Sequence, residues 1–350
     1  MSDMHTIHLK TQDGGELSFE CSEEEHLIDA GIRAGIHLPS GCKAGGCGAC
    51  RAHSTSGEYE LKPYSTAVLP KEAAAEGDIL MCRTFPKGLM TIEVPKDLVD
   101  ITVGPMPEHL SEIIANEDIG GGVRRLLLKL EPDAEGSIEA AFESGQFMEL
   151  ELPGTDTRRA YSFANISNSE GLMEFLIRLQ PDGKFSTWLE TGAEVGDKLR
   201  VCGPQGEFKL NSSSSSAPRR FVAGGTGVAP MFSMLRQLIV SNEANESRLY
   251  FGVNRESELF AQDELEALQS EMPNLIIEIC VWKPEGAWNG FTGSPADALK
   301  RDLAEDIRQG LEPEVYLCGP PGLVDATESV AKEAGLSQEQ IYCERFVASE

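Results

Sequence analysis

The chain has 350 residues and a formal net charge of −27, with 57 acidic against 30 basic side chains. Nucleic acids and anionic membrane surfaces would repel so acidic a protein, so neither is expected as a partner. The N-terminus shows no basic segment followed by an apolar one, and no apolar run reaches membrane-spanning length. A cytoplasmic protein of about two or three domains is therefore expected.

Residues 1–98 form the first predicted domain and contain the clustered cysteines. Two segments of alternating polarity, Thr6–Lys10 and Glu16–Cys21, flank a glycine-rich turn and predict a β-hairpin. A helix is expected over His26–Ala34, because the acidic residues before it favour a helix N-terminus. The segment Leu89–Val94 predicts the last strand of this domain.

Four cysteines have the spacing of a plant-type [2Fe–2S] site, Cys-x4-Cys-x2-Cys in one loop and a distant fourth. They are Cys42, Cys47, Cys50 and Cys82. Iron binds such soft thiolates, and the glycines of the loop let it wrap a cluster and aim backbone N–H groups at the sulfurs. Zinc is the main alternative, but structural zinc sites favour two Cys-x2-Cys pairs and only one is present. His53, near the loop, would be a surplus ligand.

The second predicted domain, residues 105–211, is rich in strand patterns separated by turn signals. The predicted strands are Val123–Leu130, Gln146–Leu152, Leu172–Arg178 and Lys198–Val201. An antiparallel sheet or barrel is the expected architecture.

A candidate flavin segment lies inside this domain. Arg159 is suited to a diphosphate, Tyr161 to the face of a flavin ring, and the Ser162 hydroxyl to a ring nitrogen. Downstream, Gly183 and Ser186 open a helix whose start suits a pyrophosphate. Alone, the first pattern also fits an ordinary strand with a surface arginine.

The third predicted domain, residues 217–350, follows a serine-rich connector at 212–216. Strand and helix patterns alternate along it, which predicts βαβ units and a mainly parallel sheet. The segments are Arg220–Ala223, Pro230–Val240, Arg248–Val253, Leu259–Ser270, Leu275–Val281, Pro295–Leu303, Val315–Cys318, Leu323–Ala334 and Gln340–Phe346.

Two glycine turns in this domain suggest a dinucleotide site. Residues Gly224–Pro230 lead from an apolar strand into a helix, where backbone N–H groups suit a diphosphate. The pattern is neither the full Gly-x-Gly-x-x-Gly fingerprint nor a Walker loop. A second turn, Cys318-Gly319-Pro320, follows a strand at the sheet edge where open α/β folds place ligands. Cys318 alone also fits a buried packing thiol.

The order of these motifs resembles the ferredoxin–NAD(P)+ reductase superfamily with a fused plant-type ferredoxin. Nearly the whole chain is similar to the reductase components of soluble methane monooxygenase and related bacterial di-iron monooxygenases. The resemblance implies a multidomain α+β and α/β protein. Its parts would be a β-grasp [2Fe–2S] ferredoxin domain, a six-stranded antiparallel β-barrel FAD domain and a Rossmann-like NAD domain with a parallel sheet.

The same resemblance implies roles for individual residues. FAD would be bound by Arg159, Tyr161, Ser162, Arg178, Gly183 and Ser186. The pyridine nucleotide would be bound by Gly225, Thr226, Gly227 and Pro230, with Cys318 and Gly319 near the nicotinamide. Phe346 would lie beside the flavin ring, and Ser162, Cys318 and Phe346 are the expected catalytic residues.

The resemblance further implies a monomer that passes electrons from NADH through FAD and the cluster to the oxygenase (hydroxylase) component of a monooxygenase. A reductase for a Rieske aromatic-ring dioxygenase is the alternative with the same modules. A non-catalytic electron carrier or redox sensor with vestigial nucleotide sites is the alternative from another class. Coenzyme choice depends on two neighbours. Glu256 would favour the free ribose hydroxyl of NADH, and Arg255 would accept the 2′-phosphate of NADPH. NADH is the expected coenzyme.

Overall fold

The structure of the protein, a computed structural model, describes residues 3–41, 43, 45–133, 136–155, 157–211 and 217–346. Cys42 and the serine connector 212–216 lie outside these residues. The fold has two compact units, of which the first ends at Met106 and the second runs from Pro107 to Phe346. Within the described ranges, no helix combines the length and apolar character needed to cross a membrane.

The first unit is built on a five-stranded sheet in the order β2-β1-β8-β4-β6. Strands β1 and β8 are parallel, and the other neighbouring pairs are antiparallel. The elements of this unit are β1 (Met4–Thr11), β2 (Glu16–Ser22), α1 (Leu27–Arg33), β3 (Ile36–His37), β4 (Arg51–Ser56), β5 (Tyr59–Leu61), α2 (Lys71–Ala75), β6 (Asp78–Leu80), β7 (Thr84–Pro86), β8 (Met90–Val94) and β9 (Thr102–Val103). This is the β-grasp arrangement.

Alternating burial explains how the first sheet forms. Ile7 and Leu9 of β1 are fully buried on one face, while their neighbours along the strand are more exposed. Helix α1 buries Leu27 and Ile28 in the same core. It begins at Leu27 after the N-cap residue His26, whose ring nitrogen Nδ1 accepts a hydrogen bond from the N–H of Asp29 at 3.2 Å. The predicted hairpin and helix are present.

The second unit opens with a six-stranded antiparallel sheet in the order β13-β12-β15-β10-β11-β14. Its elements are β10 (Glu108–Asp118), β11 (Val123–Leu130), β12 (Phe147–Glu151), β13 (Arg158–Ser162), β14 (Leu172–Arg178), α3 (Lys184–Thr191) and β15 (Lys198–Gln205). A bridge between Phe163 and Phe175 joins the two outer strands, which closes the sheet into the implied barrel.

A six-stranded parallel sheet follows, in the order β19-β18-β17-β16-β20-β21. Its elements are β16 (Arg219–Gly224), α4 (Val228–Val240), β17 (Ser247–Val253), α5 (Gln262–Glu271), β18 (Leu275–Val281), β19 (Phe291–Thr292), α6 (Pro295–Arg308), β20 (Glu314–Gly319), α7 (Pro321–Glu333) and β21 (Ile341–Arg345). The strand order reverses between β16 and β20, so their carboxyl ends form the crevice where such sheets bind ligands.

Several predicted helices begin at other residues than expected, and α7 starts at Pro321 and not at Leu323. Helix α4 starts at Val228, two residues before Pro230, because a short 3-10 turn at Gly225–Gly227 leads directly into it. Helix α5 starts at Gln262 and not at Leu259. Leu259 is extended, and Ala261 takes a left-handed conformation with φ 53°, so the helix cannot begin earlier.

Candidate functional site

Two antiparallel strands bring the first pair of cysteines together. Cys50 immediately precedes β4, Cys82 follows β6, and Arg51 pairs with Leu80 across these strands. The two sulfurs therefore lie 3.2 Å apart, and both side chains are almost completely buried. The half-buried Cys47 lies in the same loop, and Cys42 lies outside the described residues.

The glycines of this loop make room for its sulfurs and its close turns. A Cβ atom at Gly41 would lie 3.2 Å from the Cys47 sulfur. Gly45 has a φ of +74°, and a Cβ atom there would lie 2.8 Å from the Arg83 side chain. Only glycine combines this backbone conformation with so close an approach, so the loop is built to fold tightly around its cysteines.

The donors in this loop fit an iron–sulfur cluster. The hydrogen bond with Cys82, followed by burial, raises the pKa of the Cys50 thiol, so two adjacent thiolates need a cationic partner here. Among the described residues, no group of three His, Cys, Asp or Glu side chains is close enough to hold a metal ion. Cys42, one of the four predicted cluster ligands, is outside the residues that the structure describes. His53 binds the Asp78 carboxylate at 2.9 Å through its Nδ1 atom.

Strand β13 carries three of the six predicted flavin residues. Ser162 is buried and Tyr161 is half-buried, with its ring centroid 5.3 Å from that of Phe185 in α3. Burial raises the pKa of the Tyr161 phenol, which keeps it neutral. The Arg159 guanidinium donates a hydrogen bond to the carbonyl oxygen of Arg158 at 2.9 Å.

The remaining predicted flavin residues occupy two places. The Arg178 guanidinium donates to the Gly121 carbonyl at 3.0 Å and lies 3.5 Å from the position of a Cβ atom at Gly225. Gly183 is the N-cap of α3. The Ser186 hydroxyl oxygen accepts the N–H of Gln180 at 2.9 Å and so holds the turn before the helix.

The two predicted nucleotide turns lie against each other. A Cβ atom at Gly227 would be 2.3 Å from the Cys318 carbonyl oxygen, and one at Gly319 would be 3.0 Å from the Gly224 nitrogen. Thr226, which lies between Gly225 and Gly227, is half-buried, and Pro230 is buried in α4. The structure therefore brings both turns together at the crevice between β16 and β20.

The last strand links this crevice to the flavin strand. Glu344 pairs with Cys318 across β20 and β21, and its carboxylate accepts a hydrogen bond from the Ser162 hydroxyl at 3.2 Å. Burial raises the pKa of Glu344 to about 7, and it also raises the pKa of the Cys318 thiol. Phe346 follows, with its N–H donating to the Gly319 carbonyl at 2.8 Å. Sequence reasoning gave Glu344 no role, although its place beside Cys318 follows from the parallel register.

Models of three protein families match successive parts of the chain. A 2Fe–2S iron–sulfur cluster binding domain matches residues 10–87, an oxidoreductase FAD-binding domain 111–210, and an oxidoreductase NAD-binding domain 221–329. Methane monooxygenase component C of Methylosinus trichosporium is 36% identical over 88% of this chain and 89% of that protein. The propane 2-monooxygenase reductase component of Rhodococcus jostii (strain RHA1) is 31% identical over 99% of this chain and 93% of that protein.

The chain belongs to the iron–sulfur flavoprotein reductases of multicomponent oxygenases. It is an oxidoreductase with domains for a [2Fe–2S] cluster, FAD and NAD. The toluate 1,2-dioxygenase electron transfer component of Pseudomonas putida is similar to the reductase, at 31% identity over 99% of each protein. The cytochrome P450 reductase GcoB of Amycolatopsis has a similar structure, with a TM-score of 0.74 and 28% identity over 97% of this chain and 98% of that one.

The two residues considered for coenzyme choice are both bound to one turn of the reductase. The Glu256 carboxylate accepts the N–H of Glu285 at 2.9 Å, and this hydrogen bond lowers the pKa of Glu256. The Arg255 guanidinium pairs with the Glu285 carboxylate at 2.9 Å. Arg255 is thus paired with one carboxylate just after the end of β17, where the adenosine ribose of a dinucleotide lies in this type of sheet.

Proposed function

We propose that the reductase takes electrons from NADH and delivers them through FAD and a [2Fe–2S] cluster to the oxygenase (hydroxylase) component of a multicomponent monooxygenase. One observation carries the proposal. Glu344 binds Ser162 of the flavin strand and pairs with Cys318, which itself packs against the nucleotide turn at Gly227. The same chain supplies a cysteine loop for one-electron transfer. Hydride acceptance by FAD and its release of single electrons to the cluster are chemistry that these groups supply when bound.

The chain's own residues would hold and orient the flavin. Tyr161 and Ser162 lie on one strand, and we assign them to the ring face and to a ring nitrogen. Arg159 and Arg178 are assigned to the diphosphate, where planar guanidinium groups bind well. Gly183 and Ser186 shape the start of α3, which suits the same diphosphate.

The paired turns would hold the nucleotide. Gly225, Thr226 and Gly227 lead from the carboxyl end of β16 into α4, and the N-terminus of a helix at that place suits a diphosphate. Cys318 and Gly319 would flank the nicotinamide. Glu344 is suited to keeping a proton near Ser162, because its pKa of about 7 leaves it partly protonated at neutral pH. We assign Phe346 to the flavin ring that the nicotinamide must approach.

We infer that the cluster is held by Cys42, Cys47, Cys50 and Cys82. Of the three that the structure describes, Cys47 and Cys50 lie in one loop, and Cys82 follows the end of strand β6. Backbone N–H groups of the glycine-rich loop would tune its potential. The domains are proposed as 1–98, 105–211 and 217–350, and the matched family ranges lie within these bounds.

NADH is the proposed coenzyme. Arg255 is the cation that would accept a 2′-phosphate, and its guanidinium is already paired with Glu285. The carboxylates of Glu256 and Glu258 lie on the same turn as Arg255 and would repel the extra phosphate charge of NADPH. A free ribose hydroxyl meets no such repulsion.

Two kinds of oxygenase partner fit the same path of electrons through FAD and the cluster. The likeness to methane and propane monooxygenase components supports a di-iron oxygenase, and the likeness to a toluate dioxygenase component supports a Rieske oxygenase as the alternative. We favour the first because the methane monooxygenase component has the higher identity. Assays of substrate oxidation with one purified oxygenase of each kind would separate them. We also infer a cytoplasmic protein that is a monomer, and light scattering on the holoenzyme tests the oligomeric state.

A cysteine substitution tests the electron path. The Cys47→Ser variant should lose NADH-dependent reduction of cytochrome c through the cluster, but keep NADH-dependent reduction of a dye through the flavin. Cys21→Ala is the matched control, because Cys21 is a fully buried thiol in the core of the same unit and outside the cysteine loop. The proposal is wrong if Cys47→Ser retains both activities.

A further inference from the structure

A buried carboxylate joins the barrel to the nucleotide-binding half of the second unit. Glu174 lies in β14 with only 6% of its side chain exposed, and two arginines pair with it. We propose that the Glu174 network, formed by Glu174, Arg125, Arg236 and Glu264, positions the nucleotide turn against the flavin strand. The inference rests on the proposed function and adds positioning residues that neither the motifs nor the resemblance identify.

The first arm of the network reaches helix α4. Arg236 Nη1 lies 2.7 Å from Glu174 Oε2 and also donates to the Ala164 carbonyl at 2.8 Å. The Ala164 N–H in turn donates to the Glu174 carbonyl at 2.8 Å. The Arg236 guanidinium therefore contacts both chain segments at the place where the barrel closes. Of the two residues that it contacts, Ala164 lies two residues after Ser162.

The second arm reaches helix α5. Arg125 of β11 pairs through Nε with Glu174 Oε1 at 2.8 Å and through Nη1 with Glu264 Oε1 at 2.8 Å. Glu264 is in the first turn of α5. Two helices of the nucleotide half are thus tied through one carboxylate to adjacent strands of the barrel.

The network can set geometry because α4 is rigid and carries the nucleotide turn at its start. Arg236 is eight residues after Val228, which places it about 12 Å along the same helix. Apolar contacts also join the two halves, with Val123 and Leu176 in the same core as Phe232. Such contacts have no preferred direction, whereas the charge-assisted hydrogen bond from Arg236 to Glu174 fixes one orientation, and Arg125 adds ion pairs to it.

Removing the central charge should separate positioning from binding. In Glu174→Gln holoenzyme, the limiting rate of flavin reduction by NADH should fall about tenfold to a hundredfold, because a small misplacement of reacting groups is costly. The Kd for NADH should change less than about threefold, because the turn itself is intact. Anaerobic stopped-flow absorbance measures both quantities.

A second readout does not depend on turnover. Hydrogen–deuterium exchange of the backbone over residues 224–230 should quicken in Glu174→Gln, because the helix behind the turn is less firmly held. Glu278→Gln is the matched control. It breaks the 2.7 Å ion pair with Arg301 inside the nucleotide half, and it should alter neither the rate nor this exchange.

Further variants keep the test decisive if Glu174→Gln folds poorly. Arg236→Met leaves Glu174 paired with Arg125 and should slow flavin reduction similarly, whereas Arg236→Lys should restore part of the rate. The double variant Glu174→Gln/Arg236→Met should lose no more than the stronger single variant, since both act through one contact.

Two results would overturn the inference. One is a wild-type limiting rate in both Glu174→Gln and Arg236→Met. The other is a rate loss that Glu278→Gln reproduces. Failure of the proposed function looks different, because NADH would then leave the flavin of the wild-type reductase oxidised.

Discussion

The hydroxyl of Ser162 donates a hydrogen bond to Oε2 of Glu344 at 3.2 Å, although 182 residues separate them in the chain. This contact joins the flavin strand of the barrel to the last strand of the nucleotide sheet. It also places a carboxyl group whose pKa is about 7 beside the hydroxyl assigned to the flavin ring.

Removing the Ser162 hydroxyl should slow flavin reduction. In Ser162→Ala the Glu344 carboxyl group loses its hydrogen-bond donor, and the flavin loses the proposed contact. Loss of a buried hydrogen bond is worth about 1–3 kcal/mol, so the limiting rate should fall about tenfold or more. Rapid-mixing measurements with NADH give the rate, and Ser162→Thr, which keeps a hydroxyl, should recover part of it. An unchanged rate in Ser162→Ala would contradict this role.

Glu344 should make stability depend on pH. Burial raises its pKa from 4.5 to about 7, so the folded state binds this proton more tightly than the unfolded chain does. The resulting stabilisation is complete below pH 4.5 and is lost as the pH rises through about 7. Thermal unfolding should therefore show the Tm of the wild type falling relative to Glu344→Gln over this window. Parallel Tm curves for the two proteins would exclude the raised pKa.

Gly227 should tolerate no side chain. A Cβ atom there would lie 2.3 Å from the Cys318 carbonyl oxygen, so Gly227→Ala must separate the two nucleotide turns. Overpacking of this kind costs about 1–3 kcal/mol, and the affinity for NAD+ should fall while FAD stays bound. Gly322→Ala is the control, because a Cβ atom at Gly322 meets nothing within 4 Å. Titration with NAD+ measures the affinity, and equal Kd values for both variants would refute the prediction.

Releasing Arg255 should improve the use of NADPH. The ion pair with Glu285 occupies its guanidinium, and Glu285→Gln removes that partner and one negative charge. An exposed pair of this kind is worth up to about 1 kcal/mol, so the KM for NADPH should fall up to about fivefold, with little change for NADH. Glu339→Gln, at Gln338–Gln340 before β21, is a charge-matched control. If the KM for NADPH does not change in Glu285→Gln, the pair does not select the coenzyme.

Local patterns were sufficient to predict much of the fold. The hairpin of β1 and β2, helix α1 and the parallel sheet follow from periodicity and turn residues. Strand β10 was not predicted, because residues such as Glu108 and Asn116 interrupt its apolar alternation. Strand β10 forms because its neighbours β11 and β15 supply hydrogen-bond partners on both sides, which its own sequence pattern does not predict.

The candidate site was less predictable, because its key contacts join distant parts of the chain. The cysteine loop and the glycine turns have characteristic spacings, so sequence was enough to find them. The contacts of Glu344 and Glu174 depend on how the barrel and the nucleotide sheet pack. The one local signal for Glu174 was an acid inside the otherwise apolar core of β14, and sequence reasoning did not use it.

The most direct test of the central claim is an anaerobic absorption spectrum of the purified reductase before and after NADH, with iron and flavin quantified. A chain that holds one [2Fe–2S] cluster and one FAD should contain iron and flavin in a ratio of about two to one. NADH should then bleach both the flavin and the cluster absorption. A colourless protein, or cofactor absorption that NADH leaves unchanged, would contradict the electron path proposed here.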